Sequence, residues 1–460
     1  MARIPTRGIW LGLAAGLVIG LLPSALPVRS EEPPDLIEGF LQPVAWLVDQ
    51  IEKRSIEEIG HEALLEGACA GIVSKLDRYS AFWPPDLRNE TEADLKGEFG
   101  GLGIQITFDR PAGVIHVEQP IAGTPAAKVG VLPDDLIVRV REESTGKVTE
   151  VADLKYVHDV LSVLRGRPGT KITITIVRGE KEERKEFTIT REVIKIPGVR
   201  AVEMVDHEAR LGYIYIPYFS EAVPGDMNAA LDDLLEQGME GLILDLRFNP
   251  GGLLDAANEL ADTFLDGGAI VTVRAPRQQE AVHRAHSDGD DLDLPLVLLV
   301  NRLSASGSEI VAGALRDHHR AVLVGEQTYG KASVQQVIDN PYNKSAVKLT
   351  VARYYTPSDQ MIEGSGVAPE VELKLSEEET RKLYVFLIRK TEYPPLPPEE
   401  PDAEDEGEDA EPNPDEPGKD FRDVQLERAM EVLRELLAGT RHPGETPEGD
   451  ALVAANAQTD

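Results

Sequence analysis

The chain has 460 residues, 42% of them hydrophobic, a formal net charge of −34 and one cysteine. That length accommodates roughly three domains of ~150 residues. The acidic balance excludes a basic nucleic-acid-binding footprint, and a single thiol excludes an internal disulfide.

Residues 1–30 read as a signal peptide. Arg3 and Arg7 precede an apolar run, Ile9–Leu22, and Pro23, Ser24 and Ala25 follow it. The run is shorter than the ~20 residues of a membrane span. The competing reading is an uncleaved anchor that would tether the protein to a membrane. Either way the protein is expected to be exported, to the periplasm or cell envelope.

Residues 31–95 carry helical periodicity: Leu36, Phe40, Val44 and Leu47, then Leu64, Leu65, Ala68 and Ile72. Cys69 falls in this stretch and reads as a buried structural thiol. Residues 96–195 change to short β-branched strands with Gly and Pro turns, interrupted by helical pieces around Ala126–Val129 and Asp153–Leu164. Across residues 196–392 strands and helices alternate, which predicts an α/β domain with a largely parallel sheet. Residues 393–419 are a Pro-rich acidic linker whose like charges repel and bury nothing. Residues 420–460 hold a helix at about Phe421–Leu437, with Leu426, Met430, Leu433 and Leu437 on one face, then a disordered tail.

Three segments of the α/β region carry chemistry. Val300–Ile310 joins a buried strand to a helix and contains Ser304, Ser306 and Ser308. A serine at such a turn sits where unpaired N–H groups favour developing negative charge. Ser306-x-x-Glu309 is equally a capping box in which Ser306 only ends the helix. A hydroxyl nucleophile needs a base, and Lys331, in Gly330-Lys331-Ala332 with apolar sequence around it, qualifies if burial removes its proton. Gln335, four residues on, is placed to hydrogen-bond and orient it. The same run, Gly325-x-x-x-x-Gly330-Lys331, also reads as a nucleotide-binding loop. Ala332 stands where that loop needs a hydroxyl, and the following sequence leans to strand rather than helix. Asp245–Gly252 ends a buried strand in a Gly-Gly turn that can aim N–H groups at an anion, so Gly251 or Gly252 with Gly307 would form an oxyanion hole.

In order along the chain, LDRYSAFW (Leu76–Trp83), GEFGGLGI (Gly97–Ile104), TPAAKVG (Thr124–Gly130), LRGRPGT (Leu164–Thr170), DLRFNPGG (Asp245–Gly252), SASGSEIVAGAL (Ser304–Leu315), GEQTYGKASVQ (Gly325–Gln335) and YYTPSDQMIEGSGVAP (Tyr354–Pro369) resemble the carboxyl-terminal processing peptidases, or tail-specific proteases. The resemblance implies a crotonase-like α/β peptidase core with an inserted, mostly-β PDZ domain and an N-terminal helical region. It places the serine at Ser306, the lysine at Lys331, the supporting glutamine at Gln335 and the oxyanion donors at Gly307 and the Gly251–Gly252 pair. It implies no metal or cofactor. Gly100, Gly101, Leu102, Gly103 and Ile104 match the carboxylate-binding loop of a PDZ domain, which captures a substrate's C-terminus and extends a strand along it. Arg165 is a candidate for coupling that domain to the active site. Arg78, Gly307 and Asp134-Asp135 depart from the usual family pattern without removing a catalytic atom.

The expected function is a serine endopeptidase that cleaves exported proteins near their C-termini. The alternative is a catalytically inactive PDZ scaffold that binds such tails. A Ser-His-Asp hydrolase would need His318 or His319, which lie at the far end of the helix after Ser306. The expected partners are proteins or peptides with exposed C-termini. An activating partner protein or a homo-oligomer is left open.

Overall fold

The computed structural model describes residues 36–85, 87–88, 96–121, 123–179, 183–276, 279–287, 292–392 and 421–444. The signal-peptide segment, the acidic linker and the end of the tail lie outside the described residues.

The N-terminal region begins with α1 (Leu36–Arg54) and α2 (His61–Val73) and continues into a short strand, β1 (Ala81–Trp83). Cys69, expected to be buried, is only half-buried on α2, whose side-chain core is limited to Val73.

The glycine-rich segment forms β2 (Glu98–Gly101) and β3 (Ile104–Asp109). β4 (Val114–Pro120), the helix α3 (Pro125–Val129), β5 (Leu136–Glu142) and β6 (Val148–Glu150) follow, then the helix α4 (Val157–Leu164), β7 (Lys171–Arg178), β8 (Glu183–Thr190) and β9 (Glu192–Lys195). β3, β4, β5, β7 and β8 lie side by side in that order, with β6 on β5, in an antiparallel sheet. Ile115, Ile137, Ile172, Ile174 and Ile176 fill its core with Ala126 and Val160 from the two helices. β3 is an edge strand. β2 leaves this sheet and pairs with β9 instead, Gly100 opposite Val193.

The α/β region contains β10 (Ala201–Asp206), β11 (Leu211–Tyr215), α5 (Val223–Glu236), β12 (Gly241–Asp245), α6 (Leu254–Asp262), β13 (Ala269–Arg274), β14 (Ala281–Arg284), β15 (Leu296–Val300), α7 (Gly307–Asp317), β16 (Val322–Gly325), β17 (Ser333–Asp339), β18 (Ala346–Tyr355), β19 (Val371–Glu372) and α8 (Glu377–Glu392). Its central sheet runs β10-β11-β12-β15-β16-β19, parallel except for β10. The inner strands β11, β12, β15 and β16 are buried on both faces, so their sequences are nearly continuous apolar runs. Alternate residues serve different cores. Leu242, Leu244, Leu298 and Leu323 pack with α5, α6 and α7. Ile243, Val297, Leu299, Val322 and Val324 pack with α8 and with α9 (Val424–Leu437) on the opposite face.

α9 therefore packs on the central sheet although residues 393–420 separate it from α8. Ala429, Val432 and Leu433 are buried there, and Leu433 lies so close to Gly241 that a Cβ at that position would come within 3.1 Å of it. At one end of α9, Arg247 is fully buried between two carboxylates. Its Nη2 donates to Asp245 Oδ2 at 2.6 Å and to Asp423 Oδ2 at 2.7 Å, and Nη1 reaches Gln425 Oε1 at 3.2 Å.

The second, antiparallel sheet is not announced by the β-α alternation. β1, β18, β13 and β14 lie in that order, and β17 also pairs with β18. This sheet carries the N-terminal segment β1 onto the α/β region, Ala81 opposite Lys348.

Candidate active site

The loop after β15 is held by its polar side chains. Asn301 Oδ1 accepts from the N–H of Phe248 at 3.0 Å and of Leu303 at 3.1 Å. Ser304 Oγ donates to Leu246 O at 2.8 Å and accepts from Asn301 N–H at 2.9 Å, and Ser308 Oγ donates to Asn249 O at 2.9 Å. Two of the three serine hydroxyls are thus engaged in fastening this loop to the one after β12. Ser306 Oγ is buried and has no hydrogen-bond partner among the described residues. Ser306 has φ 58° and ψ −109°, outside the ordinary wells of a non-glycine residue. The capping box is only half formed: Glu309 Oε2 accepts from Ser306 N–H at 2.8 Å, but the serine hydroxyl caps nothing.

Lys331 lies after β16 and leads into the strand β17. The nucleotide-binding-loop reading needs a helix there and is set aside. Two buried side chains tie the Lys331 backbone to that of Ser306. The Glu309 carboxylate accepts from Lys331 N–H at 2.8 Å, Gly330 N–H at 2.6 Å and Thr328 Oγ1 at 2.6 Å, besides Ser306. Tyr354 Oη donates to Ser306 O at 3.1 Å and also contacts Lys331 O. The Lys331 side chain is buried, its Nζ 4.8 Å from the centre of the Tyr79 ring, with no hydrogen-bond or ion-pair partner among the described residues. Burial, followed by the nearby Lys348 charge, pushes its pKa down to about 7.

The structure brings the expected oxyanion residues beside Ser306. A Cβ on Gly251 would come within 2.7 Å of Ser306 Cβ and 3.0 Å of Gly307 N. Gly251 N–H is already engaged, donating to Asn249 Oδ1 at 2.8 Å. The main-chain bonds of the next turn run from Phe219 N–H to Gly251 O and from Leu253 N–H to Phe219 O, and neither uses the Gly252 N–H. Gly252, at φ 150°, is pressed so close to Phe219 that any Cβ would fall 2.1 Å from its carbonyl oxygen.

Gln335 is near but bonded elsewhere. Its Nε2 donates to Ser333 Oγ at 3.0 Å and Ser333 O at 3.2 Å, and approaches Thr350 Oγ1 at 3.4 Å, while its buried Oε1 has no partner. Lys331 precedes β17 and is not part of its alternation, and the β17–β18 register shifts at Val334–Gln335, where Val351 of β18 has no partner on β17. Gly100, Gly101, Leu102, Gly103 and Ile104 lie on β2, at the start of β3 and in the turn between them, in the other β-rich body. The Arg165 guanidinium stacks 4.2 Å from the centre of the Phe99 ring, one residue before that glycine run. His318 ends α7 with its Nε2 donating to Ala269 O at 2.8 Å, away from Ser306.

The profile of peptidase family S41 matches residues 210–373, the span from β11 to just past β19. A carboxy-terminal-processing protease from Bartonella bacilliformis is 37% identical over 336 residues, covering 72% of this chain and 74% of that protein. This chain belongs to peptidase family S41. A carboxyl-terminal-processing protease of Synechocystis is 33% identical over 389 residues, covering 79% of this peptidase and 87% of its relative. Among solved structures, the photosystem II D1 C-terminal processing protease aligns with 72% of the peptidase and 87% of its own chain, at 29% identity and TM-score 0.42. The chain is a serine-type peptidase of the carboxy-terminal-processing group.

Several residues around Ser306 and Lys331 were not singled out by the sequence. Glu309 was visible only as a capping partner. Tyr354, Tyr79 and Asp77 lay inside quoted motifs without a role, and Lys348 lay outside them. Asp77 accepts from Tyr79 N–H at 2.8 Å, Ser80 N–H at 2.9 Å and Ser80 Oγ at 2.7 Å, and so shapes the turn that delivers the Tyr79 ring. Desolvation of that ring's hydroxyl raises its pKa to about 12.

Proposed function

We propose that the peptidase cleaves with Ser306 as nucleophile and Lys331 as general base. The observation that carries this reading is the pairing of two buried groups on one scaffold. Ser306 has an unengaged hydroxyl at a helix start, Lys331 an amine whose pKa is pushed down to about 7, and Glu309 bonds to both backbones. A base half-neutral near the working pH has the greatest combined availability and driving force.

Lys331 Nζ takes the Ser306 Oγ proton as Oγ bonds to the scissile carbonyl carbon. The resulting oxyanion receives the N–H groups of Gly307 and Gly252, and Gly251 orders the turn through Asn249. Lys331 then gives its proton to the leaving nitrogen as the C–N bond breaks. Water, losing a proton to Lys331, attacks the acyl carbon, and Oγ leaves with that proton. For Gln335 to steady the Lys331 amine, its side chain must leave Ser333 and Thr350 and turn its unpartnered Oε1 toward that amine when substrate binds. Each oxyanion donor supplies about 3 kcal/mol of transition-state stabilisation.

The region 96–195 is a PDZ domain on this reading, and the α/β region a crotonase-like core. Within the loop Gly100–Ile104 the carbonyl side is internally bonded: Leu102 O accepts from Ala126 N–H at 3.0 Å, and Gly103 O from Ile121 N–H at 2.9 Å. The loop N–H groups are the donors that a substrate carboxylate would meet, and the edge strand β3 is the one a bound tail would pair with. Arg165, stacked on Phe99, links the occupied loop to the core. The substrates are exported proteins with apolar C-termini, met in the periplasm or cell envelope.

The test is incubation of the purified peptidase, Ser306→Ala and Lys331→Ala with an unfolded substrate ending in an apolar tail, together with a fluorophosphonate probe. Cleavage and labelling by the parent chain alone support the reading. Full cleavage by Lys331→Ala would falsify it, and a folded parent chain that binds tails but neither cuts nor labels would be a scaffold.

A further inference from the structure

The glycines beside Ser306 come from two loops, and a residue from a third loop touches all of them. In the central sheet β11, β12 and β15 are parallel neighbours, so the segments leaving their carboxyl ends lie side by side. Gly251 and Gly252 follow β12, and Gly307 follows β15 at the start of α7. Phe219 follows β11 and is fully buried. Its backbone engages the loop after β12 on both sides. Phe219 N–H donates to Gly251 O at 3.0 Å, Phe219 O accepts from Leu253 N–H at 2.8 Å, and Phe219 and Gly252 form a parallel bridge. Its ring engages the loop after β15. A Cβ on Gly307 would come within 3.0 Å of Phe219 Cδ2 and 3.4 Å of Ala257 Cβ, so the Gly307 backbone packs directly on the ring and on α6.

We propose that Phe219 is a positioning residue of the peptidase reaction: it fixes the spacing between the Gly252 and Gly307 N–H groups, so that both meet the oxyanion formed when Ser306 attacks. The inference rests on the reading of Ser306 as nucleophile. An oxyanion hole works only if its donors are already aimed, at about 2.7–3.1 Å from where the oxygen will sit. Neither donor is held by a side chain of its own. Gly251 and Gly252 have φ of 106° and 150°, a region that favours glycine, so nothing but their neighbours wedges that turn in place. Gly307 opens α7, where an N–H has no carbonyl of its own helix to meet. Asn249 ties the two loops together through its carbonyl, which accepts from Ala305 N–H at 3.0 Å and Ser308 Oγ at 2.9 Å. Phe219 supplies the second tie, closer to the donors themselves. A close-packed ring is an incompressible spacer, and a smaller side chain in its place lets the loops shift toward each other.

The test is steady-state kinetics of the full chain, Phe219→Leu and Phe219→Ala, with denaturant melts to verify folding. Inhibition is measured with a peptide aldehyde, which forms a tetrahedral adduct with the serine, and with the matching peptide alcohol, which cannot. Phe219→Leu is expected to lower kcat about tenfold and Phe219→Ala about 100-fold, with KM changed less than about twofold. Aldehyde affinity should fall by a similar factor, because the adduct needs the aimed donors, while alcohol affinity stays with the parent chain. The acidic limb of the kcat/KM profile should not move, since Lys331 is untouched. If Phe219→Ala fails to fold, Phe219→Leu decides. A folded variant with the parent's kcat and aldehyde affinity overturns the proposal. So does an equal loss of aldehyde and alcohol affinity, which is what a general loosening of the core produces. Ser306→Ala separates the two readings: full activity removes Ser306 as the nucleophile, whereas inactivity alongside an unimpaired Phe219→Leu sinks only the role of Phe219.

Discussion

The backbones of Ser306 and Lys331 meet at one atom: both N–H groups donate to Glu309 Oε2, each at 2.8 Å. The other Glu309 oxygen holds Thr328 and Gly330. The clamp brings the helix start and the β16–β17 loop together without using the serine hydroxyl or the lysine amine. Glu309→Ala strands these donors, each worth about 1–3 kcal/mol when buried unpaired. The expected outcome is a kcat at least tenfold lower, with a lower unfolding midpoint. Glu309→Gln, which keeps one acceptor oxygen, should fall between. Steady-state kinetics with parallel denaturant melts check this.

Activity should rise with pH through about 7, because the Lys331 amine, lowered by burial and by Lys348, is the active form when unprotonated. The sign is the reverse for a carboxylic acid acting as a proton donor. A kcat/KM profile that instead falls as pH rises from 6 to 8 would assign the titration to a different group.

The Ser306 backbone, at φ 58°, carries strain that glycine would not. Such residues store about 1–3 kcal/mol. Ser306→Gly and Ser306→Ala should both be inactive, but the glycine variant should unfold at a higher denaturant concentration, by about 1 kcal/mol. Equal midpoints would mean that the turn is not strained.

Gly252 admits no side chain, since a Cβ would sit 2.1 Å from Phe219 O. Gly252→Ala must displace the turn that offers its N–H to the oxyanion. A loss of about 100-fold or more in kcat is expected, with KM altered much less.

Asp423 shares the buried Arg247 with Asp245, so removing Asp423 leaves that guanidinium one of its two carboxylates, and the cost should lie below the ~3–5 kcal/mol of a buried charge left with no partner. Although burial pushes the Asp423 carboxyl up, Arg247 and the Leu426 N–H outweigh it and hold its pKa below the usual value. Its stabilisation is therefore present above the unfolded-state pKa and is lost as pH falls through the lower, folded-state one. Asp423→Asn should unfold more easily than the parent chain at neutral pH, with the difference shrinking in strong acid. Chemical denaturation at several pH values measures it.

The parallel sheet was legible because its strands are continuous apolar runs punctuated by helices. The burial of the strand-to-helix serine and of the apolar-flanked lysine was legible from the apolar sequence around each. The partners of Gln335 were not, because Lys331 lies before the strand and Thr350 reaches Gln335 from β18, which a spacing argument along one segment does not show. The contacts of Glu309 and Tyr354 were hidden for another reason. Their contacts join residues far apart in the chain, and Tyr354, for example, reaches back to Ser306. The residue types alone do not separate Ser304, Ser306 and Ser308; the family resemblance places the nucleophile at Ser306, and the hydrogen bonds show which hydroxyls are anchors.

Because α9 closes one face of the central sheet, the order in which the polypeptide is made acquires a meaning. A chain grows from its N-terminus, so residues 421–444 emerge after every strand of the central sheet. Until they arrive, Tyr213, Ile243, Leu299 and Val324 lack the cover of Ala429, Val432 and Leu433, and Arg247 lacks Asp423. This face of the central sheet is thus closed by a helix translated after all of the sheet's strands, so its apolar residues stay uncovered during synthesis until α9 has been made.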